Sequence, residues 1–227
     1  MLKKTFQILK QSKIDWQNHF VELIVVFIGI SGAFALNNWN ESKQEKGLEK
    51  KYLTSLQAEI KIDIDHLNEI ITATAQDSVE ISELLKLLKD EKYEIDKILP
   101  YLNTMSSVEK FAPRIVTFES IKNSGGLEII SNYELRKLII EIYLLYDQLI
   151  IVEELTFEFL KDYWMPYSIK QIDLVKNKVT NKNFVKEVEF GNLAGGFYSA
   201  INQQLSSYRE ISKKCKELEL SLTKELS

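Results

Sequence analysis

One stretch of this chain constrains its fold more than any other. Residues Phe20 to Leu36 read FVELIVVFIGISGAFAL, 17 residues with a single charge at Glu22. A helix of that length sits at the lower limit for crossing a hydrocarbon layer of about 30 Å. Glu22 lies one turn in, so its carboxylate can reach the polar interface. Trp16 and Trp39 bracket the run, about 35 Å apart along a helix, where interfacial aromatic anchors belong. The expectation is a transmembrane helix over residues 19–38. Two other readings fit the same letters: the core helix of a soluble protein, and a signal peptide with Ala33-Phe34-Ala35 as its A-x-A cleavage pattern.

Charge is unevenly placed around this run. Residues before Phe20 carry a net +3 and Glu22 carries −1, which leaves −6 for the remainder of a chain of net charge −4. That balance excludes nucleic acid as an expected partner. Lys3, Lys4, Lys10 and Lys13 precede the run and Lys43, Lys46, Lys50 and Lys51 follow it, so lysine number alone does not orient it. A long following domain translocates largely regardless of charge. The expected arrangement is therefore a basic cytoplasmic tail at 1–18, a span through the inner (cytoplasmic) membrane, and a periplasmic domain at 39–227. Leu2, Phe6 and Leu9 share one helical face among lysines, which suits either an anionic leaflet or a solvated tail.

The rest of the chain reads as all-α, an elongated helical bundle with long heptad-striped helices. Glycine (8) and proline (3) are scarce, and no proline occurs before Pro100; these are the main helix breakers. Leu53, Leu56, Ile60, Ile64, Leu67, Ile71, Thr74, Ser78, Ile81, Leu85 and Leu88 recur at spacings of 3 and 4, a stripe for packing against other helices. It predicts a long helix over about 41–90, with Gly47 its weak point. Residues 91–131 break into short elements at Pro100, Pro113 and Gly125-Gly126, with Gly125 as a C-cap. FAPRIVTF at 111–118 is the sole strand candidate, and Pro113 argues against it. Ser131 and Glu134 form a capping box that opens a second long helix at about 132–163. Its stripe is Leu135, Leu138, Ile142, Leu145, Leu149, Val152, Thr156, Phe159 and Tyr163, widened by Ile139, Tyr146 and Ile150; Pro166 ends or kinks it. A connector follows at 164–196, then a C-terminal helix at about 197–226 striped by Ile201, Leu205, Tyr208, Ile211, Cys215, Leu218 and Leu222. Cys215, the single cysteine, reads as a core position.

The residues around the apolar run carry a resemblance. Glu22, Ile28-Gly29-Ile30 and Asn37-Asn38-Trp39-Asn40-Glu41, followed by Tyr52, Leu53, Leu56 and Glu59, resemble the opening of a Bacteroidetes-type family of single-pass membrane proteins, domain-of-unknown-function family 6090. Phe118 to Leu127 resembles that family's hydrophobic-x-Ser-Gly-x-Leu step before its long helix. Ser31-Gly32-Ala33 departs from the pattern, where the family is more often aliphatic. The resemblance implies an integral membrane protein and brings no activity with it.

Few residues suggest chemistry. Glu59, Asp63 and His66 fall on one helix face, a spacing that can ligate a metal in a bundle. No Glu-x-x-His partner exists elsewhere, so a solvated face is the better expectation. Gly29 and Ala33, like Ser31 and Ala35, are four apart, which lets membrane helices approach closely. Gly195-Gly196 before an aromatic residue could cradle an anion at a helix start, although a plain loop fits better. No G-x-S-x-G, H-E-x-x-H or Cys/His pair occurs, so no catalytic or cofactor-binding residue is nominated and no cofactor is expected. The expected function is a membrane-anchored interaction or scaffold protein, with the bilayer, other protein helices or further copies of itself as partners. A sensory or ligand-binding domain is the second reading, and a metal-dependent enzyme the third.

Overall fold

The computed structural model describes residues 16–173, 175, 176 and 178–227. The expected basic tail, including Leu2, Phe6 and Leu9, lies outside the described residues but for its last positions. The chain divides into two compact units, Met1–Glu49 and Lys50–Ser227.

In the first unit the described residues belong to helix α1, which spans Trp16–Lys89. Its side chains from Phe20 to Leu36 are exposed throughout, and no part of the most apolar 18-residue window is buried. Among the described residues α1 is the one helix long and apolar enough to cross a membrane. The Lys43 ammonium sits 5.5 Å above the centroid of the Trp39 ring.

The second unit holds the rest of α1 and nearly all the packing. It continues with α2 (Ile95–Thr104), α3 (Val116–Asn123), α4 (Tyr133–Phe159), α5 (Met165–Gln171) and α6 (Val188–Leu226). A ribbon of two-residue strands, β1 (Ile172–Asp173) and β2 (Lys178–Val179), pairs Ile172 opposite Val179 in antiparallel register. The fold is all-α apart from that ribbon.

Each long helix buries a seam at strict 3-4 spacing, the period at which side chains stack on one helix face. On α1 it runs Leu53, Leu56, Ile60, Asp63, Leu67, Ile70 and Thr74, then Ile81 and Leu84. On α4 it runs Leu135, Ile139, Ile142, Tyr146, Leu149, Glu153 and Thr156. On α6 it includes Ile201, Gln204, Tyr208, Ile211, Cys215, Leu218 and Leu222. Two apolar clusters result. One joins Leu53–Ile70 of α1 to the first half of α4 and to Tyr208–Leu222. The other joins Ile81 and Leu84 to α2, Leu160–Tyr167 and Phe190–Ile201. Thr74, Glu153, Thr156 and Gln204 are buried and lie, along each helix, where one cluster gives way to the other.

The seams differ from the expected stripes in one systematic way. Ile64, Ile71 and Leu85 are half-buried flanks, while their neighbours Asp63, Ile70 and Leu84 are buried. On α4 the expected Leu138, Leu145 and Val152 are flanks, Ile150 is exposed, and Tyr163 is exposed. A one-residue shift turns a helix by about 100°, so a stripe drawn only through apolar letters drifts off the axis when a seam position is acidic.

Three boundaries also move. The α4 cap is Asn132, whose side-chain oxygen accepts the Leu135 N–H at 3.1 Å, one residue after the expected Ser131 box. The helix past Phe159 widens into a π turn at Leu160–Trp164, and Pro166 sits in the first turn of α5, where a missing N–H costs least. Finally, α6 begins at Val188 and not near Phe197. Gly191, Gly195 and Gly196 do not interrupt it, because Phe190, Leu193, Ala194 and Phe197 bury a continuous face. That burial outweighs roughly 1 kcal/mol of lost propensity per glycine. Gly195-Gly196 therefore lies inside a helix and offers no helix start to an anion. A β-carbon at Gly196 would stand 2.9 Å from Cζ of Phe159, so this glycine admits the ring.

Candidate functional site

Residues 107–115, between α2 and α3, form neither helix nor strand. Such a strap has no ladder to satisfy its N–H groups, and a buried N–H must find an acceptor. Acids from the long helices provide them. The Phe111 N–H donates to Glu153 Oε1 at 2.8 Å. The Arg114 N–H donates to both oxygens of Asp63, at 3.0 and 3.2 Å. The Thr117 N–H reaches Glu59 Oε1 at 3.2 Å, and its hydroxyl donates to the same oxygen at 2.7 Å. Thr117 lies in the first turn of α3, where N–H groups have no partner within the helix, so Glu59 caps α3 from a distant element.

Tyrosine hydroxyls complete the coordination of the two seam acids. Tyr146 donates to Asp63 Oδ2 at 2.8 Å and lies 3.2 Å from Cys215 Sγ. Tyr208 donates to Glu153 Oε1 at 2.7 Å. Burial raises the Asp63 carboxyl above the usual carboxylate range, opposed by the Tyr146 hydrogen bond, the Arg114 N–H and the Arg114 charge, with Glu59 adding to the rise. Burial likewise pushes the Tyr146 and Tyr208 phenols far up, with Cys215 and Asp63 adding for the first and Glu153 for the second. Both stay protonated and can only donate to these acids. Burial pushes the Cys215 thiol up to about 11, so it is neutral near pH 7 and a poor nucleophile.

This places the expected metal face. Asp63 is 1% exposed and not solvated, because its oxygens hold the strap. Glu59, one turn earlier on α1, holds the start of α3 through Thr117, and the His66 ring packs 5.3 Å from that of Phe111. Among the described residues no group of three His, Cys, Asp or Glu side chains could hold a metal ion. Glu153, Tyr146 and Tyr208 belong to the network without having been singled out as polar partners. The available signal was an acid at a seam position flanked by apolar residues three and four away.

On α1, Gly29, Ser31, Ala33 and Ala35 are exposed, and a β-carbon at Gly29 would meet nothing within 4 Å. Trp16 and Trp39 are exposed at either end of the apolar run.

A cavity of about 480 Å³ opens between α3, α4 and the strap. Pro113, Ile115, Phe118, Tyr143, Leu144 and Ile150 contribute to its largely apolar wall, and Glu119, Lys122 and Asp147 to its charged groups. The strap is one wall, so the acids that hold the strap also shape the cavity.

No curated protein and no solved structure matches the chain. The sequence model of one family matches residues 22–199, a stretch that takes in the apolar run from Glu22 onward, the strap, the seam acids of α1 and α4, and the start of α6. The chain belongs to the family of unknown function DUF6090.

Proposed function

We propose that this chain is a single-pass membrane protein whose helical second unit acts through protein contacts and not through catalysis. The observation that carries the anchor is the exposure of the apolar run. Eleven large apolar side chains between Phe20 and Leu36 face outward with no protein over them. At about 1.5–3 kcal/mol each, keeping them in water costs on the order of 20 kcal/mol, more than the 5–15 kcal/mol that typically holds a domain folded. Lipid removes that cost. Sodium carbonate washing of membranes tests it: the full chain stays in the pellet, and release into the supernatant would refute the anchor.

For the orientation, the reading is an N-terminus in the cytoplasm of a cell with an inner membrane and the second unit in the periplasm, because a long domain after the span translocates largely regardless of charge. Added protease should digest the second unit only when it reaches the periplasmic face. Contacts with other copies of the chain are proposed through Gly29, Ser31, Ala33 and Ala35, which are small and exposed. Self-association of the span should fall in Gly29→Ile; an unchanged signal removes this interface.

A second reading, a ligand-binding unit, is favoured by the cavity beside the strap. Its volume lies in the range of small-molecule sites. A ligand held there should raise the melting temperature of the purified full chain.

A further inference from the structure

We propose that the cavity between α3 and α4 binds an apolar monocation, a substituted ammonium carrying an aryl or alkyl group. This rests on the ligand-binding reading and is independent of the membrane anchor. The aromatic side chains Phe118, Tyr143 and Tyr146 form part of the wall. Phe118 and Tyr143 are stacked, with centroids 3.8 Å apart and planes within 5°, and Tyr146 meets Tyr143 edge-on at 5.3 Å. Ring faces carry negative potential and attract cations. The Tyr143 hydroxyl is engaged by the Arg114 carbonyl at 3.4 Å, which leaves the ring as its contribution to the wall. The stack already draws one cation, since the Lys122 ammonium lies 5.9 Å from the Phe118 centroid.

Charge at the mouth selects the sign of the ligand. Glu119 and Lys122 neutralise each other at 3.1 Å. Asp147 also lines the cavity, is exposed, and has no ion-pair partner among the described residues. One uncompensated carboxylate beside an apolar wall repels fatty acids and other organic anions and attracts cations. Hydrogen bonds from Arg114 and Thr117 to α1 hold the strap and the start of α3 in place, so the cavity exists before any ligand arrives.

Saturation-transfer NMR on the purified full chain in detergent tests the assignment with three probes: benzyltrimethylammonium, benzyl alcohol and 3-phenylpropanoate. The cation should bind about tenfold more tightly than the anion, the combined expectation of one Coulombic contact and a ring face. Asp147→Lys, a change at an exposed position, should weaken the cation by at least that factor and leave benzyl alcohol unaffected. Equal binding of cation and anion, or an unchanged cation affinity in Asp147→Lys, overturns the proposal while the ligand-binding reading stands. Failure of all three probes to bind the unaltered chain overturns both.

Discussion

Truncating Asp63 to alanine deletes the acceptor of two donors, the Arg114 N–H and the Tyr146 hydroxyl. Leaving buried donors without partners costs about 1–3 kcal/mol each, so Asp63→Ala should lower unfolding stability by about 3 kcal/mol. Asp63→Asn retains an acceptor oxygen and buries no charge; at neutral pH it should be at least as stable as the unaltered chain. The sign follows from the raised carboxyl. A folded-state value above the ordinary 3.8 means that the folded form binds the proton more tightly. The Asp63 contribution to stability therefore grows as pH falls through the raised value towards 3.8. Asp63→Asn lacks that contribution, so its advantage should shrink between pH 7 and pH 4. Urea unfolding of both chains, followed by circular dichroism at several pH values, measures this. Cys215 offers a separate check at the same scale. Buried and raised to about 11, it should react with iodoacetamide on the order of a hundredfold more slowly in the native chain than in urea; equal rates would remove it from the core.

At the scale of elements, the packing of α6 on the end of α4 turns on one missing methyl group. Gly196→Ala would bring a β-carbon against the Phe159 ring and should cost about 1–3 kcal/mol. With Phe159→Ala also present, the same change should become neutral or gain up to about 1 kcal/mol of helix propensity. A double-mutant cycle on melting measures the difference, and additive effects would show that the ring is not what Gly196 accommodates. The polar seam residues make a second case. Gln204 is buried, and its Nε2 has no hydrogen-bond partner among the described residues. Gln204→Leu should therefore stabilise the bundle by about 1 kcal/mol, read as a rise in melting temperature. Polar residues at otherwise apolar seam positions set register in helical assemblies, which gives Thr74, Glu153, Thr156 and Gln204 a role that apolar replacements would not reproduce. The helices themselves were legible from spacing: every residue of the C-terminal stripe from Ile201 to Leu222 is buried. The stripe of α1 was legible only to within one residue, because Asp63 holds a core position and Ile64 beside it drew the line away.

On the scale of the whole molecule, the proposed anchor depends on an unbroken apolar run. Val25→Arg together with Ile28→Arg puts two charges near its middle, each costing about 3 kcal/mol in a span centre. The doubly substituted chain should lose retention in carbonate-washed membranes, while Ile62→Arg, at an exposed position of the second unit, should not. Retention of the double variant would show that something other than residues 20–36 holds the chain. The residue pattern alone determined the apolar run, the all-α class and the three long helices, since each is a local property: solvent preference, propensity and a repeat of three and four. Only the tertiary structure decided which side of each helix is the seam, that Asp63 and Glu153 meet the strap, and that Glu59 meets the start of α3. Those hydrogen bonds join residues 42 to 58 positions apart. No period relates such residues; they meet because N–H groups of an irregular segment require acceptors, and the ones they find stand on other helices.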